Sequence, residues 1–261
     1  MPSEELRKRL EALNGGPLAP RPAPQADCGE RAVAAVQALP PEPFACIEAL
    51  AAECAEWAAD IQRALPAACS APLVMAHARR RRPVPPESLL FLDIETLGLR
   101  GEPVFLVGML QMREGALRCT QLLARTLREE PAILAECGRW LDRAALLVSF
   151  NGRAYDIPTV ALRAGQHGIP LRTHRGHLDV LHHARTRWRG RVPNCRLQTL
   201  ESVICGRSRE DDVPGYRIPE VYQECLRSGR MEPLEGVLRH NRLDLLTTAE
   251  LLLRLCAGEP D

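Results

Sequence analysis

Lysine is almost missing from this chain: of 34 basic residues, only Lys8 is not arginine. Its cations are therefore of the kind that grips phosphate and carboxylate in a bidentate fork. Net charge is nearly absent as well, at +1, so no global field draws in a polyanion and any basic footprint must be local. No apolar run approaches the ~18 residues of a membrane helix, which excludes a helical membrane protein. The opening MPSEELRKRL is charged and has no signal-peptide core, so a cytoplasmic protein is expected. The ten cysteines contain no C-x-x-C pair, and Cys28, Cys46, Cys54 and Cys69 match no zinc spacing. Reduced, mostly buried thiols are expected. No internal repeat is present, and no low-complexity tract beyond one proline-rich linker.

What remains is ordinary globular material: 261 residues, 46% hydrophobic and 26% charged, enough for one sizeable domain with an extension. Ser3 to Leu13 predicts a short amphipathic helix, and Pro17 to Pro24 an extended linker. Phe44, Ile47, Leu50, Cys54, Trp57, Ile61 and Leu65 keep a helical period, which predicts a helix ended by Pro66 and packed on the main domain. Ala71 to His77 reads as a short strand. Arg79 to Arg82 form a basic run that is either a phosphate grip or a solvated connector. Residues 1–83 are thus expected to be a helical N-terminal extension with a Pro-rich linker, and 84–257 the main domain.

That domain opens on Leu89 to Leu99, LLFLDIETLGL. The apolar composition suits a buried central strand. Alternation along a strand puts Asp93 and Glu95 on one face and Leu92 and Ile94 on the other. Two like charges about 4 Å apart repel by roughly 4 kcal/mol at an effective dielectric near 20. One of them takes up a proton or a cation sits between them. Carboxylate oxygens favour hard ions such as Mg²⁺ and Mn²⁺. A metal site at the end of this strand is one expectation, and a pair of solvated acids the other.

Strands are expected at Val104 to Met112 and Leu117 to Ala124, then a helix at Glu129 to Ala144 and a strand at Ala145 to Phe150. Helices and a short strand at His177 to Val180 follow, and a long helix over Glu232 to Leu255 closes the chain. An antiparallel front half feeding crossover units implies an α/β fold: a mixed five-stranded sheet with helices on both faces.

Two further acids fall near the expected site. Asp156, in SFNGRAYDIP, follows a strand end and the Asn151-Gly152 turn; by itself it also reads as a helix cap. Asp244, in RHNRLDLL, lies one turn from His240 on the closing helix, a pair that by itself is more often a surface hydrogen bond. Asp179, with His177, His182 and His183 around it, reads as a helix cap rather than a second metal cluster. Asp211 and Asp212 are expected to be solvated in a charged loop.

Taken together, the acid pair on a strand, N-G-x-x-Y-D after a later strand, and an acid on the last helix resemble the DEDD 3′–5′ exonuclease superfamily on the ribonuclease H-like fold. FLDIETLGL, VFLVG, SFNGRAYDIP, HLDVLHHAR, CRLQTLESVICG, DVPG, IPEVY and LRHNRLDLL are similar to its bacterial YprB-like branch, over about Leu89 to Leu255. The resemblance implies phosphodiester hydrolysis with two ions, Mg²⁺ or Mn²⁺, about 3.5–4 Å apart. Asp93 would bridge the ions, Glu95 and Asp244 would hold the one that activates water, Asp156 would serve the other, and His240 would take the proton. Thr96 and Leu97 would meet the terminal nucleotide, and Asn151 is grouped with them as a nucleic-acid contact. The implied partner is nucleic acid, DNA or RNA, at a single-stranded or frayed 3′ end. One departure stands out: the superfamily usually places His with a four-residue gap before the last Asp, and here three residues intervene. The alternative function is a catalytically inactive nucleic-acid-binding module on the same fold.

Overall fold

The structure, a computed structural model, describes residues 44–99, 101–172, 176–209 and 211–257. The helix expected at Ser3 to Leu13, the linker and Cys28 lie outside these residues.

The sheet has six strands rather than the five expected. The extra one, β1 (Ala45–Leu50), falls in a stretch whose Phe44, Ile47 and Leu50 mimic a helical period. Its first residues instead alternate between half-buried and exposed, and it pairs antiparallel with a later strand from Ala45 opposite Leu123 to Leu50 opposite Arg118. Helices α1 (Ala51–Cys54), α2 (Ala58–Ala68) and α3 (Pro72–His77) follow. Pro66 sits inside α2 without ending it, and Ala71 to His77 is helix rather than strand. Pro72 in the first turn starts α3, where its missing N–H costs nothing. Arg79, Arg80, Arg81 and Arg82 are exposed.

The domain then runs β2 (Leu89–Thr96), β3 (Val104–Arg113), β4 (Ala116–Leu123), α4 (Glu130–Arg143), β5 (Leu146–Ser149), α5 (Asp156–Gln166), β6 (His177–Asp179), α6 (Val180–Trp188), α7 (Leu197–Val203), α8 (Ile218–Ser228) and α9 (Leu234–Ala257). Strand order is β1-β4-β3-β2-β5-β6. Each of the first four strands is antiparallel to its sheet neighbours among them, while β5 and β6 extend the sheet in parallel with β2.

Period-two alternation in β2 sorts its side chains between two cores. Leu90, Leu92 and Ile94 join Phe105, Ile133, Leu134 and Tyr222, beneath α4 and α8. There Tyr222 stacks on Phe105 at 4.0 Å between ring centroids and donates to the Ala124 carbonyl at 2.7 Å. Leu89 and Phe91 face the opposite way, onto Ile61 and Leu65 of α2, Trp188 of α6, and Leu245, Leu246 and Leu252 of α9. Asp93 and Glu95 continue this second face, so both carboxylates emerge toward the long closing helix. All nine cysteines among the described residues are free thiols.

Candidate active site

Four acids from three segments converge where β2 ends. Asp93 and Glu95 are half-buried, and a β-bulge between Glu95 and Thr96 breaks the ladder just beyond them. Asp156 is the first residue of α5 and is buried; its Oδ1 accepts the Ile94 backbone N–H at 3.2 Å, which ties the crossover to the acid strand. Asp244 comes from α9.

The electrostatics record that convergence. Burial pushes Asp93 well above the ordinary carboxylate range, and Asp244, Glu95 and Asp156 push it further. Glu95 is raised by burial and then by Asp244, Asp156 and Asp212. Burial lifts Asp156 to about 7 against two backbone hydrogen bonds that lower it, with Asp179 and Asp244 adding to the rise. Each acid is held close to others that resist its ionisation.

A side-chain chain fixes Asp93. Asn241, fully buried on α9, donates its Nδ2 to Asp93 Oδ2 at 2.8 Å, while its Oδ1 accepts from Gln121 Nε2 at 2.8 Å. Gly108 stands opposite Asp93 in the β2–β3 register, and a Cβ there would collide with the Asn241 amide. The glycine therefore lets the helix approach the acid strand. Sequence reasoning missed Asn241, although it adjoins His240 and lies one turn before Asp244.

The second miss is the loop after α7. Asp212, expected to be solvated, is nearly buried: both its oxygens lie 3.0 Å from His240 Nδ1. Arg209, whose side chain is 6% exposed, contacts Glu201, Asp212 and Asp244. A run reading R-S-R-E-D-D looks like a solvated loop, and the available signal was only the Val213-Pro214-Gly215 turn after it. His240 Nε2 in turn lies 3.5 Å from Asp244 Oδ2.

Asp179 does act as a cap. It accepts from the N–H groups of Leu181 at 3.1 Å, Asn151 at 2.9 Å and Arg153 at 3.1 Å, so it starts α6 and pins the Asn151 turn. Asn151 adopts φ +63°, a left-handed conformation that Asn tolerates. His183 contacts His77, Nε2 to Nε2, at 3.2 Å. Thr96 Oγ1 and the Tyr155 hydroxyl lie 2.7 Å apart, and both approach the Gly98 carbonyl oxygen, at 2.6 and 2.7 Å. Leu97 is half-buried against the α4-side core.

A cleft of about 850 Å³ opens over the acids. Asp93, Asp156 and Asp244 line it together with Asn151 and Tyr155, whereas Glu95, Thr96, Leu97 and His240 do not. Arg185 of α6, and Arg189 and Arg196 of the segment joining α6 to α7, line it as well. All three arginines are exposed, and none pairs with an acid among the described residues.

The donor set suits a hard divalent ion: oxygen ligands that repel one another, with Asp244 Oδ1 shielded from water and without a hydrogen bond. Among the described residues no three His, Cys, Asp or Glu side chains are gathered as a closed ligand set, and Asp244 is shared with Arg209.

Comparison with known proteins assigns the fold. The RNase_H superfamily model matches residues 90–256. The chain belongs to the RNase H superfamily. This RNase H-like chain is 32% identical over 173 residues to the uncharacterized protein YprB of Bacillus subtilis (strain 168), a match covering 64% of this chain and 42% of that protein. The chain thus spans less than half of that relative's length, and the YprB-like resemblance seen in the motifs holds. A family B DNA polymerase from the hyperthermophilic archaeon Pyrobaculum calidifontis superposes with a TM-score of 0.50 at 17% identity, over 64% of this chain and 24% of the polymerase chain; at that identity the likeness is one of fold. Among the described residues no helix is long and apolar enough to cross a membrane.

Proposed function

We propose that the protein is a metal-dependent nuclease of the DEDD type, a 3′–5′ exonuclease acting in the cytoplasm on single-stranded or frayed ends of DNA or RNA. One observation carries this: three acids from separated segments line a cleft together with three arginines that pair with no acid among the described residues. Acids alone repel a polyanion and arginines alone would merely bind it. Side by side, they suit a phosphodiester held over cation-binding carboxylates.

Asp93, Glu95, Asp156 and Asp244 would hold two divalent ions, Mg²⁺ or Mn²⁺. When bound, such ions stabilise charge on the attacking and leaving oxygens. Asn241 fixes the rotamer of Asp93, so this carboxylate is presented without a search. His240 Nδ1 faces Asp212, which leaves Nε2 on the Asp244 side as the proton acceptor. Asp212 is thus a positioning residue that selects the tautomer. Arg185, Arg189 and Arg196 take the phosphates of the strand. Thr96, Leu97 and Asn151 are proposed contacts of the terminal nucleotide.

The test is degradation of 3′-labelled single strands of DNA and RNA with Mg²⁺ or Mn²⁺. Asp93→Asn is expected to abolish it, and activity surviving that change would remove the assignment. The hold of Arg209 on Asp244 favours the second reading, a binding module without turnover. Tight binding of the same strands with no cleavage under either ion would establish that one instead.

A further inference from the structure

Arg209 is the most heavily engaged cation near the cleft. Its guanidinium is reached from three elements: Nε is 2.7 Å from Glu201 Oε2 on α7, Nη1 is 3.2 Å from Asp212 Oδ2 on its own loop, and Nη2 is 2.6 Å from Asp244 Oδ1 on α9. These contacts are not equivalent. The first two are aligned hydrogen bonds. The third is a close charge contact without hydrogen-bond alignment, between two atoms that are both shielded from water. The arginine is therefore seated by Glu201 and Asp212, and its remaining nitrogen, Nη2, meets Asp244.

Glu201 and Asp212 belong to no ligand set proposed above, whereas Asp244 does. A buried guanidinium needs compensating carboxylates, and the seat keeps two of them whatever Asp244 does. Asp244 has the opposite need: it lines one cleft with Asp93 and Asp156, and Arg209 is the cation that meets it.

We propose that Arg209 is a tethered counter-ion for Asp244 in the metal-free protein, and that it yields Asp244 to an entering divalent ion while remaining on Glu201 and Asp212. This rests on the metal-nuclease reading and adds a property to it. Metal uptake is a competition with an internal cation, so the loop after α7 sets the concentration at which the site loads. Through Asp212, which contacts both Arg209 and His240, the same exchange is coupled to the side chain proposed to take the proton.

The experiment is Mn²⁺ binding alone, followed by the paramagnetic signal of the free ion or by calorimetry, without nucleic acid. Arg209→Gln is expected to bind Mn²⁺ at least about fivefold more tightly than wild type, the low end of typical coupling between linked sites. Arg209→Lys keeps the charge but loses the fork, and is expected to fall between them. Arg207→Gln is the control. Arg207 lies on the same loop but pairs with Glu250 and covers the Trp57 ring at 3.7 Å, so its loss should leave Mn²⁺ affinity unchanged. Equal or weaker Mn²⁺ binding by a folded Arg209→Gln overturns the counter-ion role; if that variant does not fold, Arg209→Lys binding no tighter than wild type overturns it. Binding tightened as much by Arg207→Gln overturns it too. Wild type and Arg209 variants that all fail to take up Mn²⁺ overturn the metal reading itself, and this inference with it.

Discussion

Without divalent ions the protein should become less stable as pH rises from about 4 to 7. Asp156 carries the calculation. Its ordinary value is 3.8 and the folded protein holds it at about 7, chiefly by burial. Between those values the native state keeps a proton that the unfolded chain has released. Stability therefore falls with rising pH: the sign is opposite to that of a salt-bridged carboxylate. A displacement of that size corresponds to about 4 kcal/mol at 25 °C, taking 1.36 kcal/mol per tenfold change. In a domain of 150–250 residues each kcal/mol moves the midpoint by roughly 2–4 °C, so a loss on the order of 10 °C is expected between pH 4 and pH 7.5. Asp93 and Glu95 are raised too, and add to the decline in the same direction. The measurement is urea or thermal unfolding across that range in EDTA, for wild type and Asp156→Asn. Asparagine keeps an Oδ1 acceptor for the Ile94 N–H, so the variant should lose the Asp156 share of the pH dependence without losing its fold. Saturating Mg²⁺ should flatten the wild-type curve. Stability that is level or rising from pH 4 to 7 in EDTA, or a slope identical in Asp156→Asn, would refute the account of crowded carboxylates.

Two other outcomes follow from named contacts. Gly108→Ala should push Asn241 off Asp93 and leave the buried Gln121 amide with only the Leu238 carbonyl as acceptor, costing about 1–3 kcal/mol by denaturant titration and weakening Mn²⁺ uptake. Replacing Arg185, Arg189 and Arg196 together by Gln should reduce the magnitude of the log Kd against log salt slope for single-stranded binding by about 0.7 per lost phosphate contact, with Mn²⁺ affinity unchanged; an unaltered slope would take the strand off that wall.

Much of the candidate site was legible because its acids sit where nothing else explains them as a set. Asp93 and Glu95 interrupt a strand that is otherwise apolar, and the parity of β2 alone says that they face away from Leu92 and Ile94. Asp156 and Asp244 each have an ordinary explanation in isolation, and only their order along the chain joined them to the pair. Arg209 and Asp212 were illegible for a physical reason: a charged loop reads the same whether its charges face water or each other, and only the packing of α7 against α9 decides. Asn241 was hidden because a buried amide leaves no periodic trace. β1 was misread because Phe44, Ile47 and Leu50 satisfy a helical spacing over only two turns, while the strand needs β4 beside it, about 70 residues later. In the helices expected after β4, the ends moved by only a few residues.

The pairing of β1 with β4 has a practical consequence. The family match begins at Leu90, inside β2, so a polypeptide trimmed to it would lose β1, α1, α2 and α3 together. The main-chain amides and carbonyls of β4 that now meet Ala45–Leu50 would stand bare along a six-residue rim, and Ile61 and Leu65 would no longer cover the sheet. A naked rim of that kind recruits strands from neighbouring molecules. The shortened chain would come out of solution for want of an edge, before any chemistry could be assayed.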